Sequence, residues 1–387
     1  MNDALDSSTI DAPAGALDSP GRALLAELVA TPSPSGDEAA VAELLRAFFE
    51  HHDREAFVDA VGNVRAPADD SVLLTSHMDT VPGGPKLRVL TGDEELGVDG
   101  PVLHGRGSVD ATGPLAAMAV AAVETGVSFA GVVQEETDSA GARHLLTDRS
   151  VPEAVINGEP SGWDALTLGY RGLVAGTFTV ETAASHSSRP EPNAIDHATE
   201  WWEAVRGAFE NDSTDDAGVF DTVTATATAF DGGLSPDGDA VEATVDAQFR
   251  VPPGQTPESV RETVEAATIH GSLSWTDEIP PLLGDPRSSV AGALRAGIRS
   301  AGGEPTHLRK SGTADANLYA AEWGVPVATY GPGDSALDHA PDERLPLEEF
   351  DRAVAVLSTA STQLIHPDSR NPCTRPTPLR PISRPSS

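Results

Sequence analysis

The 387-residue chain carries 60 acidic against 25 basic residues, with a formal net charge of −35 and a pI near 4.4. A nucleic-acid backbone would be repelled by such a surface, and no run approaches the ~20 apolar residues of a membrane span. At 39% hydrophobic residues the chain can bury a full core, and its length allows two domains. Only Lys86 and Lys310 are lysine. An acidic, lysine-poor surface is expected of a halophilic protein, whose self-repulsion is screened by multimolar salt; an ordinary acidic enzyme from a GC-rich genome is the alternative. The sole cysteine, Cys373, can form no internal disulfide. The first residues lack the charged and apolar stretches of a signal peptide, so a cytoplasmic location is expected.

In chain order, a Pro/Ser/Gly turn at Pro32–Gly36 precedes a helix over Asp37–Glu50, where Val41, Leu44, Leu45 and Phe48 mark one buried face. Val72–Thr75 is a short apolar run consistent with a strand buried on both faces. A helix over Thr112–Glu124, a strand over Val127–Val133 and an apolar run over Val151–Ile156 come next. That alternation is the pattern of an α/β sheet covered by helices. Near Leu168 the pattern changes to a strand around Val174–Val180, a helix over Asn193–Phe209, alternating strands over Thr222–Phe230 and Val241–Phe249, and a helix over Thr256–Ala267. This predicts a strand–helix–strand–strand–helix unit with a half-exposed sheet. The α/β pattern resumes near Arg287, with helices to Ala301 and over Leu347–Leu364. The expected fold class is α/β with a second, inserted α+β unit: a discontinuous domain over 1–167 and 281–365, interrupted by 168–280. The last 22 residues, 366–387, hold six prolines and four arginines and read as a disordered tail.

The chemistry-bearing residues fall at or just after predicted strand ends, where open α/β sheets place ligands. His77 leaves the first buried strand in SHMDT, and Asp79, two residues on, can accept its imidazole N–H. Asp110 closes GRGSVD at a helix entry, Glu135 and Glu136 end the next strand, Glu159 sits in NGEP, and His339 comes after the Gly331-Pro332-Gly333 loop. Each alone has a plain structural reading: Asp110 as a helix cap, the histidines as core or solvated residues, the glutamates as surface charge. Together, two histidines and three carboxylates are the inventory for two divalent cations, Zn or Co, sharing one carboxylate, with Glu135 left over as a general base.

At this point the chain resembles the M20 metallopeptidase family over roughly residues 20–365, through Pro34-Ser35-Gly36, Val58-Asp59 to Gly62-Asn63, SHMDTVP, GRGSVD, QEET, NGEP and the stretch Ser185–Pro190. The resemblance implies a zinc-peptidase-like catalytic domain with a mixed sheet flanked by helices. The inserted unit is then a lid that also makes a homodimer contact. It further implies that His77 and Glu159 hold one metal, Glu136 and His339 the other, and Asp110 bridges them. Asp79 orients His77, Glu135 moves protons, and His186 reaches a partner's site to stabilise the oxyanion. The Asp110–Ala111 peptide is expected to be cis. Glutamate at position 159 favours amide deacylation over peptide cleavage.

The segments GRGSVDATGPLAAM, INGEPSGWDALTLGYRG and KSGTADANLY are more narrowly similar to hydrolases that release lysine or ornithine from an amino-group carrier protein of the LysW type; Thr112 departs from that pattern, standing where lysine is expected. Alternatives are a deacylase of N-acetylornithine or N-succinyl-diaminopimelate, and an inactive M20-like binding protein. Arg250, by resemblance, grips a substrate carboxylate, or is a surface ion-pair partner. Arg171 is a second candidate, and Asp315 or a nearby carboxylate is expected to meet the substrate's amine.

Overall fold

A computed structural model gives the fold. It describes residues 10–186, 188–210 and 218–367; Cys373 and most of the expected tail lie outside that range.

The central sheet has nine strands. Its order is Phe57–Val58, Val64–Ala66, Val127–Val132, Asp69–His77, Val155–Gly158, Val327–Thr329, Ala165–Tyr170 and Leu282–Leu283, with Thr306–Lys310 pairing Ala165–Tyr170. It is mixed: Asp69–His77 runs parallel to both Val127–Val132 and Val155–Gly158, whereas Leu282–Leu283 and Val64–Ala66 run antiparallel to their neighbours. Val127–Val132 and Val155–Gly158 are buried along their whole length, as continuous apolar runs between helical layers should be. The helices Pro20–Ala30, Ala39–His51, Thr112–Thr125, Ser289–Ser300 and Leu347–Ile365 supply the main core through Leu25, Leu45, Leu115, Leu294 and Phe350. The Thr112–Thr125 helix is buried over most of its length, and its alanines let it lie close to the sheet.

The third predicted strand is displaced: Val155–Gly158 is the strand, and Val151 lies exposed before it. Helix Pro20–Ala30 was not anticipated, although Ser19 caps it and Pro20 stands at its first turn.

The second sheet is antiparallel and four-stranded, in the order Thr224–Leu234, Ala240–Val251, Gly172–Ala183 and Ser272–Ile279. Helices Ala194–Glu210 and Pro257–Ala266 join its own apolar cluster, in which Trp201 stacks on Phe178 at 4.3 Å between ring centroids. Ser272–Ile279 is a fourth strand beyond the predicted unit. It escapes notice because mostly polar side chains alternate along it at an edge. The chain crosses between sheets at Arg171 and again at Pro280–Pro281 rather than at residue 168. The crossings lie close together, since a Cβ on Gly172 would stand 2.4 Å from the Ile279 carbonyl. Among the described residues no helix is long and apolar enough to cross a membrane.

Candidate metal centre and active site

Three adjacent parallel strands end at one level: His77 pairs with Val132 and Ser76 with Gly158. The residues just beyond Val132 and Gly158 must therefore converge on His77. Gly158 permits the approach, because a Cβ there would lie 2.6 Å from that of Ser76. Glu159 is the next residue, and its Oε1 stands 3.9 Å from His77 Nε2. After Val132 the chain turns at Gln134, whose φ of 61° lies in the left-handed region. Such a conformation in a non-glycine residue persists only where the surroundings hold it. Here Glu38 accepts from the Gln134 N–H at 3.2 Å.

Asp110 stands between the two histidines. Its Oδ1 is 3.2 Å from His77 Nε2 and its Oδ2 is 3.1 Å from His339 Nε2, while His339 Nε2 also lies 3.0 Å from Glu136 Oε1. Donor atoms of His77, Asp110 and Glu136 all fall within 4.8 Å of one another. Asp110 does not cap the adjoining helix, whose N-cap is Ala111, and the Asp110–Ala111 peptide is cis.

Glu343, absent from the sequence-based expectations, anchors the Asp110 loop. It is fully buried and accepts from the backbone N–H groups of Gly107, Val109 and Asp110 and from Arg106. Thr112 is buried at the start of the next helix, with its hydroxyl against Gly107.

Contrary to the sequence-based expectation, the Asp79 carboxylate is not the nearest acceptor for the His77 imidazole. His77 Nδ1 lies 2.8 Å from the Asp79 backbone carbonyl and 3.5 Å from the carboxylate. The carboxylate instead accepts from the N–H groups of Glu135 and Glu136, at 3.0 and 3.1 Å, and from the Ser35 hydroxyl at 2.7 Å. It thereby ties the strand end bearing His77 to the turn bearing both glutamates.

The site concentrates carboxyl groups in a poorly solvated space. Burial pushes Glu135 well above the ordinary carboxylate range, with Glu159 and Asp315 adding like charge. Burial likewise raises Glu136, and carries Glu159 up to about 8 and Asp315 up to about 6. Asp110 goes the other way: burial opposes its charge, but hydrogen bonds from His339 and His77 hold it low. The bond to Asp110 lifts His339 to about 9.

So many buried acids facing two imidazoles call for positive charge, and the mixed nitrogen and oxygen donors suit Zn²⁺ or Co²⁺. His77, Asp110, Glu136, Glu159 and His339 could hold such ions. Without metal, the raised groups stabilise the fold while protonated and lose that stability as pH rises through their folded-state values. The metal-free protein should therefore lose thermal stability between about pH 5 and 9, a span set by Glu159 (4.5 to about 8), Asp315 (3.8 to about 6) and His339 (6.5 to about 9). Calorimetry at constant salt would check this, and a flat or rising profile would contradict it.

The structure treats the remaining candidates differently. Arg250, at the crossing end of its strand, makes one side-chain hydrogen bond among the described residues, Nη1 to Thr313 Oγ1 at 3.3 Å. Arg171 is not free to meet a substrate: it is 5% exposed, and it donates to the backbone carbonyls of Ser311 and Val219 and to Thr224 Oγ1, fastening the crossing. Asp315 opens helix Asp315–Trp323 and is 2% exposed, enclosed beside Glu135 rather than open to a substrate amine. His186 is exposed after Gly172–Ala183, with Ser188 as its hydrogen-bond partner, and is not brought to the cluster of its own chain. Lys310 and Asp338 also flank the site, unanticipated, and Asp338 is raised to about 7 by burial and by Asp110.

Residues 73–363 match the family described as Peptidase family M20/M25/M40. The chain belongs to that family. M20 membership makes it a metal-dependent hydrolase. The [LysW]-lysine hydrolase of Deinococcus radiodurans is 40% identical over 362 residues, which cover 89% of this chain and 97% of that protein. A putative [LysW]-lysine/[LysW]-ornithine hydrolase of Pyrococcus abyssi is 35% identical over 345 residues, covering 88% of this M20 chain and 93% of the relative. Among solved structures, the aminopeptidase PepT of Bacillus cereus shares the fold with a TM-score of 0.71 at 20% identity, over 88% of this chain and 97% of that one.

Proposed function

We propose that this M20 chain hydrolyses the amide joining lysine or ornithine to the side chain of the C-terminal glutamate of a LysW-type carrier protein, in lysine and arginine biosynthesis. The observation that carries the reading is the convergence of His77, Asp110, Glu136, Glu159 and His339 on one another beside Glu135. It occurs in a chain that aligns with 97% of the D. radiodurans enzyme.

Two Zn or Co ions, one on His77 and Glu159, the other on Glu136 and His339, with Asp110 between them, would supply Lewis acidity toward the amide carbonyl and toward water. Glu135 takes the proton from the attacking water as its oxygen bonds to the amide carbon. It then delivers that proton to the amine nitrogen as the C–N bond breaks, leaving a free glutamate side chain and a free amino acid. Arg250 grips the α-carboxylate of the amino acid, for which a forked guanidinium is suited.

The segment between the sheet crossings is a lid and a homodimer contact. Across that contact the exposed His186 would donate to the oxyanion in the partner's site. A cytoplasmic location and a salt-rich milieu accord with the charge.

The deciding assay compares carrier-linked lysine, carrier-linked ornithine, N-acetylornithine and N-succinyl-diaminopimelate on zinc- or cobalt-loaded enzyme. The conjugates are expected to turn over at least ~100-fold faster by kcat/KM, a difference of about 2.7 kcal/mol in transition-state binding. Rapid cleavage of N-acetylornithine with none of the conjugates would remove the carrier reading.

A further inference from the structure

Two cations, Lys310 and Arg250, keep donors unspent among the described residues. Lys310 ends the strand Thr306–Lys310, and its side chain is 19% exposed. Its ammonium makes no hydrogen bond among the described residues. The Asp338 carboxylate lies 3.8 Å away, beyond hydrogen-bond reach, and the ammonium is near enough to Glu159 to favour that group's charge. Arg250 spends one of its N–H groups on Thr313; burial disfavours its charge, and it faces the like charge of Arg171. Lys310 opens the segment 310–313 and Arg250 meets its far end at Thr313, whereas Arg171 in the same corner is consumed by backbone carbonyls.

An ammonium held like this gains little as an ion pair, because the partner is distant and the stem loses rotamer freedom. It offers instead three N–H donors and a compact charge. The chain carries two lysines in all, and this is one of them.

The substrate proposed above has a carboxylate on each side of the scissile amide: the α-carboxylate of the carrier's terminal glutamate and that of the amino acid to be released. Both must leave water to bring the amide to the reactive centre, and a carboxylate buried without a cationic or hydrogen-bonding partner is costly. One guanidinium answers one carboxylate. We infer that Lys310 is the second carboxylate anchor, a specificity-determining residue that touches the substrate and selects amides carrying an acid group on both sides. The inference rests on the carrier-linked reading.

The test uses three conjugates at one fixed salt concentration: lysine on the carrier's terminal glutamate, the same with the glutamate α-carboxylate capped as a carboxamide, and the same with the lysine α-carboxylate so capped. K310M is expected to lower kcat/KM on the uncapped conjugate about 10- to 100-fold, mainly through KM, with wild-type metal content and circular dichroism. K310R should recover most of the loss. Wild-type enzyme should be sensitive to both caps and K310M to one; the cap that K310M ignores identifies the carboxylate that Lys310 holds. Should methionine disturb folding, K310Q gives the same comparison.

Unchanged kcat/KM in K310M, or a response to both caps as large as the wild type's, overturns the assignment of Lys310 while leaving the carrier reading intact. A wild-type enzyme that cleaves N-acetylornithine but not the uncapped conjugate overturns both.

Discussion

Replacing Glu135 with glutamine should lower kcat by about 10²–10⁴-fold with little change in bound metal. Glutamine keeps the shape and the backbone: the residue's N–H still donates to Asp79 Oδ1 at 3.0 Å, and the neighbouring Glu136 N–H to Oδ2 at 3.1 Å. The ability to accept a proton is lost. Burial, Glu159 and Asp315 raise this carboxyl, while His77 pulls it down. Cations in the cleft would pull it down further, into the range where it is ionised at neutral pH yet basic enough to take a proton from water. The acid limb of the wild-type pH–rate profile should therefore vanish in E135Q. Steady-state kinetics with metal analysis on the same preparations checks both parts. Near-wild-type turnover in E135Q would end the general-base role.

The second large effect belongs to Asp110. D110N is expected to bind at most one metal ion tightly and to lose turnover to background. The carboxylate offers one oxygen toward each histidine, at 3.2 and 3.1 Å, and an amide has one oxygen and no charge. Outer partners of metal ligands typically cost about 10–100-fold in affinity when removed, and a shared ligand should cost more. Two equivalents retained by D110N after dialysis against chelator would exclude a bridging role.

The strand ends made much of the site legible. His77, Glu136 and Glu159 lie at or just past the ends of apolar runs, and three such runs side by side and parallel must bring their C-terminal residues to one place. His339 was legible only as a histidine following the Gly331-Pro332-Gly333 loop; it sits in a loop at φ 58°, with no periodic signal to fix where it points, and its pairing with Glu136 came from the family resemblance. Glu343 was not legible, because its partners Arg106–Asp110 lie more than 230 positions away and nothing local marks a buried glutamate. Arg171 misled for a related reason: an arginine after a strand reads as a free cation until the carbonyls that consume it are known. The edge strand Ser272–Ile279 was missed because its burial alternates with polar residues, whereas helix Pro20–Ala30 had a serine cap and a first-turn proline that propensity rules recognise.

The two sheets meet through a pair of neighbouring crossings, at Arg171 and at Pro280–Pro281. The five donor residues and Glu135 all belong to the part outside that loop. An ancestral gene could therefore exchange or reshape everything between the crossings while leaving the five donor residues and Glu135 in place. The metal-binding framework and the surfaces that the inserted segment adds to it can diversify separately, which gives a physical route by which one scaffold serves enzymes as unlike as an aminopeptidase and a carrier-directed hydrolase.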